Sequence, residues 1–266
     1  MKRKNLIRKI FFKEKVSVGL FYVVLLLLWQ LLYWIGTSQL RWWKSYAFPS
    51  PLGVVESCVN LIENGTLFQA LLYSAIRGVI GFGIAIIIGL AVGIILSLSE
   101  KIHGCLHPLL LGLQTLPSIC WVPFAILWFG LDESAVLFVV VMGSAFSIAL
   151  SVRNGIRNVN PLWIKAAKTM GADKKQLYIK VMLPASMPAF VEGLRQGWSF
   201  AWRALMSGEV MSATVGLGHT LMMGRDLADI NQVMLVMLVI ILIGIINDRF
   251  VFWRIEERIL RKRGLK

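Results

Sequence analysis

Five stretches of this chain carry no Asp, Glu, Lys or Arg, and each is at least 18 residues long: 16–35, 78–99, 104–131, 134–152 and 230–247. A helix needs about 20 apolar residues to cross about 30 Å of hydrocarbon. A sixth stretch, 185–213, is also apolar but includes Glu192, Arg195, Arg203 and Glu209. The pattern predicts an all-α, polytopic membrane protein of about six transmembrane helices. Only 16% of the residues are charged, against about 25% in soluble domains, and the mean hydropathy is +0.72.

The net charge of +14 would suggest nucleic acid in a soluble protein. Its distribution excludes that partner. Seven cations fall within 2–15, seven within 153–180 and seven within 249–266, leaving seven of the 28 elsewhere. Basic blocks between long apolar runs mark cytoplasmic segments. Six spans return both termini to one side, which the charge makes the cytoplasm. The expected organisation is a basic N-terminus (1–15), a first span with a short external amphipathic segment (16–69), a transmembrane core (70–250) containing a loop at 153–184, and a basic tail (251–266). The first apolar run is longer than the 7–15 residues of a signal peptide, and Tyr33-Trp34-Ile35 is no small-residue cleavage site. A retained span is expected.

Local signals fill in the segments. Ser50-Pro51 caps a short helix whose apolar face would be Val54, Val55, Cys58, Val59 and Ile62, with Gly65 as its stop. Trp42, Trp43 and Tyr46 suit an interfacial aromatic belt. Gly89 and Gly93 are spaced for close helix packing in lipid. Cys58, Cys105 and Cys120 show no ligand or disulfide spacing and are expected as small buried side chains. His103 and His107 lack a third metal ligand nearby.

Residues 104–131 are too many for one straight span, and Pro108, Pro117 and Pro123 divide them. The polar run of Gln114, Thr115 and Ser118 at mid-depth is either a kink stabilised by hydroxyls or part of a translocation path with Trp121. Among the charges of the fifth span, Glu192 and Arg195 are three apart and suit a local ion pair. Arg203 and Glu209 lie deeper, off a common face, and either pair with other helices or face water. Arg203 is the best candidate to attract an anion. Arg77, at the outer start of the second span, is expected to snorkel.

The basic loop carries the densest signals. Asn160-Pro161 starts a helix that Gly171 ends, and Asp173 with Gln176 forms a capping box for a second helix ending at Leu183-Pro184. Leu162, Trp163, Ala166, Ala167, Met170, Leu177 and Val181 are too many apolar residues for a merely solvated loop. Small Ala166, Ala167 and Gly171 suggest close docking by another protein.

Ala166-Ala167, Gly171, Val181 and Leu183-Pro184 resemble the EAA loop of ABC importer permeases. Lys165 stands where that motif has Glu, and Val181 where it has Ile. Gln114-Thr115-Leu116-Pro117, Trp121-Val122-Pro123, Leu127-Trp128-Phe129-Gly130, Gly193-Leu194-Arg195, Trp202-Arg203 with Glu209, and Gly216-Leu217-Gly218 are similar to the nitrate/sulfonate/taurine permease subfamily. The resemblance implies a type I ABC importer permease fold in a bacterial plasma membrane and a homodimeric path for a small anionic or polar organic solute. It also implies two ATP-binding subunits seated on an EAA coupling helix (Lys165, Ala166, Ala167, Gly171, Leu183, Pro184) and an extracytoplasmic solute-binding protein. ATP and magnesium would then sit on the partner, with no cofactor in this chain; it contains no phosphate-binding G-x-x-x-x-G-K-[ST] motif. Similar permeases carry bicarbonate, riboflavin or thiamine-precursor pyrimidines, so a heteroaromatic cargo is the alternative. An ATP-independent carrier would show duplicated halves, which are absent.

Overall fold

The structure, a computed structural model, describes residues 2–40, 42–44 and 47–262. Among the described residues there is no strand. Contacts divide the chain into two units, Met1–Thr66 with Leu221–Leu238, and Leu67–Thr220 with Val239–Lys266.

The first unit begins with α1 (Lys2–Trp34), which widens into a π-helical turn over Ile35–Gln39. Nearly every apolar side chain from Leu20 to Trp34 is exposed, as expected of a lipid-facing helix. Trp29 Nε1 donates to the Pro49 carbonyl at 3.0 Å. Trp43 stacks on Phe48 at 4.9 Å, and Trp42 is exposed; Tyr46 lies outside the described residues. α2 (Pro51–Glu63) starts as its sequence dictates, with the Gly53 N–H donating to Ser50 Oγ at 2.9 Å and Gly65 turning the chain at φ 69°. Its buried face is a different one. Val54, Ser57 and Leu61 are buried, whereas Val55, Val59 and Ile62 are exposed. The helix is apolar on two faces, so side-chain polarity did not identify the packed one. Ser50 N–H also donates to Asn231 Oδ1 at 2.9 Å, 181 residues away.

The second unit is built around α6 (Glu133–Arg157), which has the largest buried share of the span-length helices. α3 (Thr66–Leu98) runs parallel to it. A Cβ on Gly81 would lie 2.8 Å from Val140, one on Gly89 2.7 Å from Ile148, and one on Gly93 2.7 Å from both Val152 and the Ala149 carbonyl. The Gly81–Val140, Gly89–Ile148 and Gly93–Val152 pairs are each 59 residues apart, so α3 and α6 keep one register. Helix packing is therefore what Gly89 and Gly93 serve. α9 (Leu183–Met211) runs antiparallel on α6, with Gly193 against Ser151, Gly197 against Ile148 and Gly208 against Val136. The expected Glu192–Arg195 pair does not form. Glu192 is exposed, and Arg195 reaches Asp248 at 2.5 and 2.7 Å, a partner 53 residues away.

The three prolines of the long third stretch behave differently. α4 (Glu100–Thr115) runs through Pro108, and α5 (Val122–Phe129) takes Pro123 into its first turn, where no donor is needed. Only Pro117 breaks the chain, turning it by 101° between α4 and Ser118–Phe129. Four helices are long and apolar enough to cross a membrane, five if the bent pair is one span. α9, 29 residues long, falls outside that set. Cys105 and Cys120 are exposed rather than buried, and Cys58 is half-buried.

Candidate functional site

The bend at Pro117 is where the second unit turns polar. Leu116 is held extended at ψ 127°, because the proline ring crowds the helical conformation of the residue before it. The chain then needs local partners. Thr115 Oγ1 donates to the Gly112 carbonyl at 2.6 Å, and Ser118 and Ser207 share a hydrogen bond at 3.0 Å. Facing the bend is α9, brought close because Gly143 on α6 has no side chain; a Cβ there would lie 2.6 Å from Ala204.

Between them is a cavity of about 300 Å³ whose wall includes Gln114, Thr115, Ser118, Phe200 and Arg203. Arg203 is exposed and its guanidinium lies 4.8 Å from the Phe200 ring centroid. Its Nε donates to the Ser199 carbonyl at 3.1 Å. Among the described residues it forms no ion pair, so its outer N–H groups remain as donors. Amide, hydroxyl and guanidinium groups converge here on a space suited to a small anion. Four of the six path candidates are thus assembled. Trp121 is not in this wall; it packs against the buried cluster of Val122, Ala125 and Val139. Phe200 and Gly143 were not identified from sequence, although Phe200 lies three residues before Arg203 on the same helical face.

Glu209 belongs elsewhere. It is fully buried, with Ser74 Oγ 2.7 and 2.8 Å from its two oxygens, Arg77 Nη1 at 3.1 Å and the Gly218 N–H at 3.0 Å. Arg77 also donates to Glu133 Oε1 at 2.8 Å and to the Val215 carbonyl at 2.7 Å. Arg77 therefore does not snorkel: its residue is 4% exposed, because two carboxylates and a carbonyl make burial tolerable. The Gly216-Leu217-Gly218 run closes around this cluster. A Cβ on Gly216 would sit 2.5 Å from the Glu209 carboxylate, and one on Gly218 would sit 2.6 Å from Glu209 Cβ. These glycines open α10 (Leu217–Asp226), whose Leu217 N–H donates to Ser74 Oγ at 2.8 Å.

At the other end of α6, the basic loop folds as α7 (Pro161–Thr169) and the short α8 (Lys174–Gln176). Asn160 Oδ1 accepts from the Leu162 N–H at 2.9 Å, and Asp173 Oδ1 from the Gln176 N–H at 2.6 Å. Gly171, at φ 81°, receives the end of α7, with its own N–H bonded to the Lys168 carbonyl and the Ala172 N–H to the Ala167 carbonyl. That pairing is the Schellman motif. Gly171 is thus small for its backbone, and nothing lies within 4 Å of a Cβ there. Ala167 is buried inside the loop itself, while Lys165 and Ala166 are exposed. The outward apolar face is Leu162, Trp163, Ala166 and Met170, with Met170 80% exposed. Leu183-Pro184 does not end the second helix. The chain passes through a π-helical turn at Leu177–Met182 into α9 without a break. A proline ring clashes with the carbonyl four residues earlier, here Lys180, and the wider turn accommodates it.

His103 and His107 have ring centroids 4.6 Å apart, and the described residues contain no group of three metal-ligating side chains.

Known proteins resemble most of the chain. Residues 65–253 match the family described as binding-protein-dependent transport system inner membrane component. The chain is 30% identical to the putative aliphatic sulfonates transport permease SsuC of Bacillus subtilis, covering 90% of this chain and 84% of that one. It is 29% identical to the taurine transport system permease TauC of Escherichia coli, over 76% of this chain and 74% of TauC. With the bicarbonate transport system permease CmpB of Synechococcus elongatus the identity is 28%, over 89% and 86%. The MetNI methionine ABC transporter, in an inward facing form, contains a chain of the same fold, with a TM-score of 0.60 at 20% identity over 73% of this chain and 96% of that one. This chain belongs to the binding-protein-dependent transport system inner membrane component family and is a multi-pass ABC transporter permease.

Proposed function

We propose that two copies of this chain form the membrane path of an ATP-driven importer for a small oxyanion or zwitterion of the sulfonate, taurine or bicarbonate type. α9 is the additional span beyond those recognised by length and composition, giving six and placing both termini in the cytoplasm. ATP-binding subunits seat on α7 through Leu162, Trp163, Ala166 and Met170, beside Lys165, and hydrolysis takes place there. A solute-binding protein delivers cargo from outside. The observation that carries this reading is the Arg203 guanidinium, without an ion pair among the described residues, lining the cavity at the Pro117 bend with Gln114, Thr115 and Ser118. The named cargoes of SsuC, TauC and CmpB all bear an oxyanion head or its equivalent, which supports it.

The test is uptake of radiolabelled taurine, an alkanesulfonate and bicarbonate by the reconstituted transporter with its cognate ATPase and binding protein. A charge-assisted hydrogen bond contributes about 1.5–3 kcal/mol, so Arg203→Gln should slow uptake about 10-fold or more, while Arg203→Lys keeps part of it. Uptake by Arg203→Gln at the wild-type rate would refute an anion contact at Arg203.

A further inference from the structure

We infer that the chain carries a built seat for the phosphate of an anionic phospholipid where α9, α11 (Ile230–Asn247) and α12 (Trp253–Lys262) meet. A cavity of about 330 Å³ opens there, with Arg195, Asp248, Arg249 and Trp253 among its walls. Its charges are unevenly used. Arg195 and Asp248 hold each other in a two-pronged ion pair, which removes their net charge. Arg249, exposed on the π-helical turn Asp248–Phe252, forms no ion pair among the described residues. Among the described residues the cavity thus presents the Arg249 guanidinium without an ion pair, with the Asp248 carboxylate turned to Arg195.

Its position along α11 identifies the occupant. Ile241, Leu242, Ile245 and Ile246, on the preceding turns, are all exposed, an apolar surface of the kind acyl chains cover in a membrane. Arg249 comes one turn after Ile245, about 6 Å further along the axis at 1.5 Å per residue. Trp253 follows one turn later, 47% exposed, the amphipathic ring that favours headgroup depth. An apolar strip, then a cation, then an indole along one helix matches a phospholipid from tail to headgroup. Arg254 and Arg258 of α12 are exposed beyond it, outside the cavity, and Arg261 is held by Glu257 at 2.7 Å. Gly244 and Ile245 complete the wall beside the Arg195–Asp248 pair. The seat is independent of which cargo Arg203 meets.

The test is native mass spectrometry of the purified transporter equilibrated with phosphatidylglycerol or phosphatidylcholine. One basic residue near the surface contributes enough to change occupancy about five-fold. Arg249→Gln should therefore reduce retained phosphatidylglycerol about five-fold, with Arg258→Gln, a cation outside the cavity, retaining it as wild type does. Wild type should hold phosphatidylglycerol in preference to phosphatidylcholine. Equal losses in both variants would attribute retention to the charge of the tail alone and overturn the seat. So would equal retention of both lipids. Stripping of the lipid by inorganic phosphate would overturn the lipid assignment in favour of a free-phosphate site. Both arginines are exposed, and size-exclusion chromatography checks that the variants remain folded.

Discussion

Arg77 and Glu209, 132 residues apart in the chain, meet at 3.1 Å with neither residue more than 4% exposed. Breaking a buried ion pair from one side leaves an uncompensated charge and costs about 3–5 kcal/mol. Glu209→Ala should therefore lower thermal stability in detergent by that amount. Arg77→Met should do the same, and the double variant should lose less than the sum of the two. Differential scanning fluorimetry of the three variants measures the coupling.

The glycines of α3 separate into two kinds. Gly93 has the Ala149 carbonyl 2.7 Å from where a Cβ would be, while Gly83 has nothing within 4 Å. Gly93→Ala should cost about 1–3 kcal/mol through overpacking. Gly83→Ala should be neutral or slightly stabilising, since alanine favours helix by up to about 1 kcal/mol. Expression yield and melting temperature of the two variants should diverge.

In the loop, Ala166 and Ala167 are neighbours in sequence but not in environment. Ala166→Asp places a charge on the exposed face and should leave the loop folded while abolishing stimulation of the ATPase by binding protein. Ala167→Asp buries a carboxylate without a partner and should unfold the loop, at a cost of about 1–3 kcal/mol. Limited proteolysis across 160–184 should distinguish them, with Ala167→Asp cut faster and Ala166→Asp cut as wild type.

Asp173 and Gly171 set the loop's shape through backbone alone. Asp173→Ala removes a capping hydrogen bond and should cost about 1 kcal/mol. Gly171→Ala forces a side chain to φ 81° and should cost about 1–2 kcal/mol. Amide hydrogen exchange should accelerate over the loop in both variants and stay unchanged at α3.

What could be read from the sequence was what is decided within a few residues. Ser50, Asn160 and Asp173 cap helices with their own side chains, and Gly171 stops one by its own dihedral angle. The break at Pro117 follows from one ring and the residue before it. Errors arose where a distant group competes. Arg195 prefers Asp248 to the nearby Glu192 because the aspartate offers both oxygens in line with the guanidinium. Arg77 is buried because Glu133, Glu209 and Val215 converge on it from three other segments. Gly216 and Gly218 could be matched to a family pattern, yet their role appears only once the Glu209 carboxylate is seen against them.

The constant register of α6 has a mechanical consequence. Sliding α6 by one residue along α3 or α9 would drive side chains into backbone at Gly81, Gly89, Gly93, Gly197 and Gly208 together. The three helices therefore cannot shear past one another by small steps and must travel as one block. α7 leaves the end of α6 after only three residues, 158–160. Any displacement of α7 would then act on α6 through a short link rather than a long flexible loop.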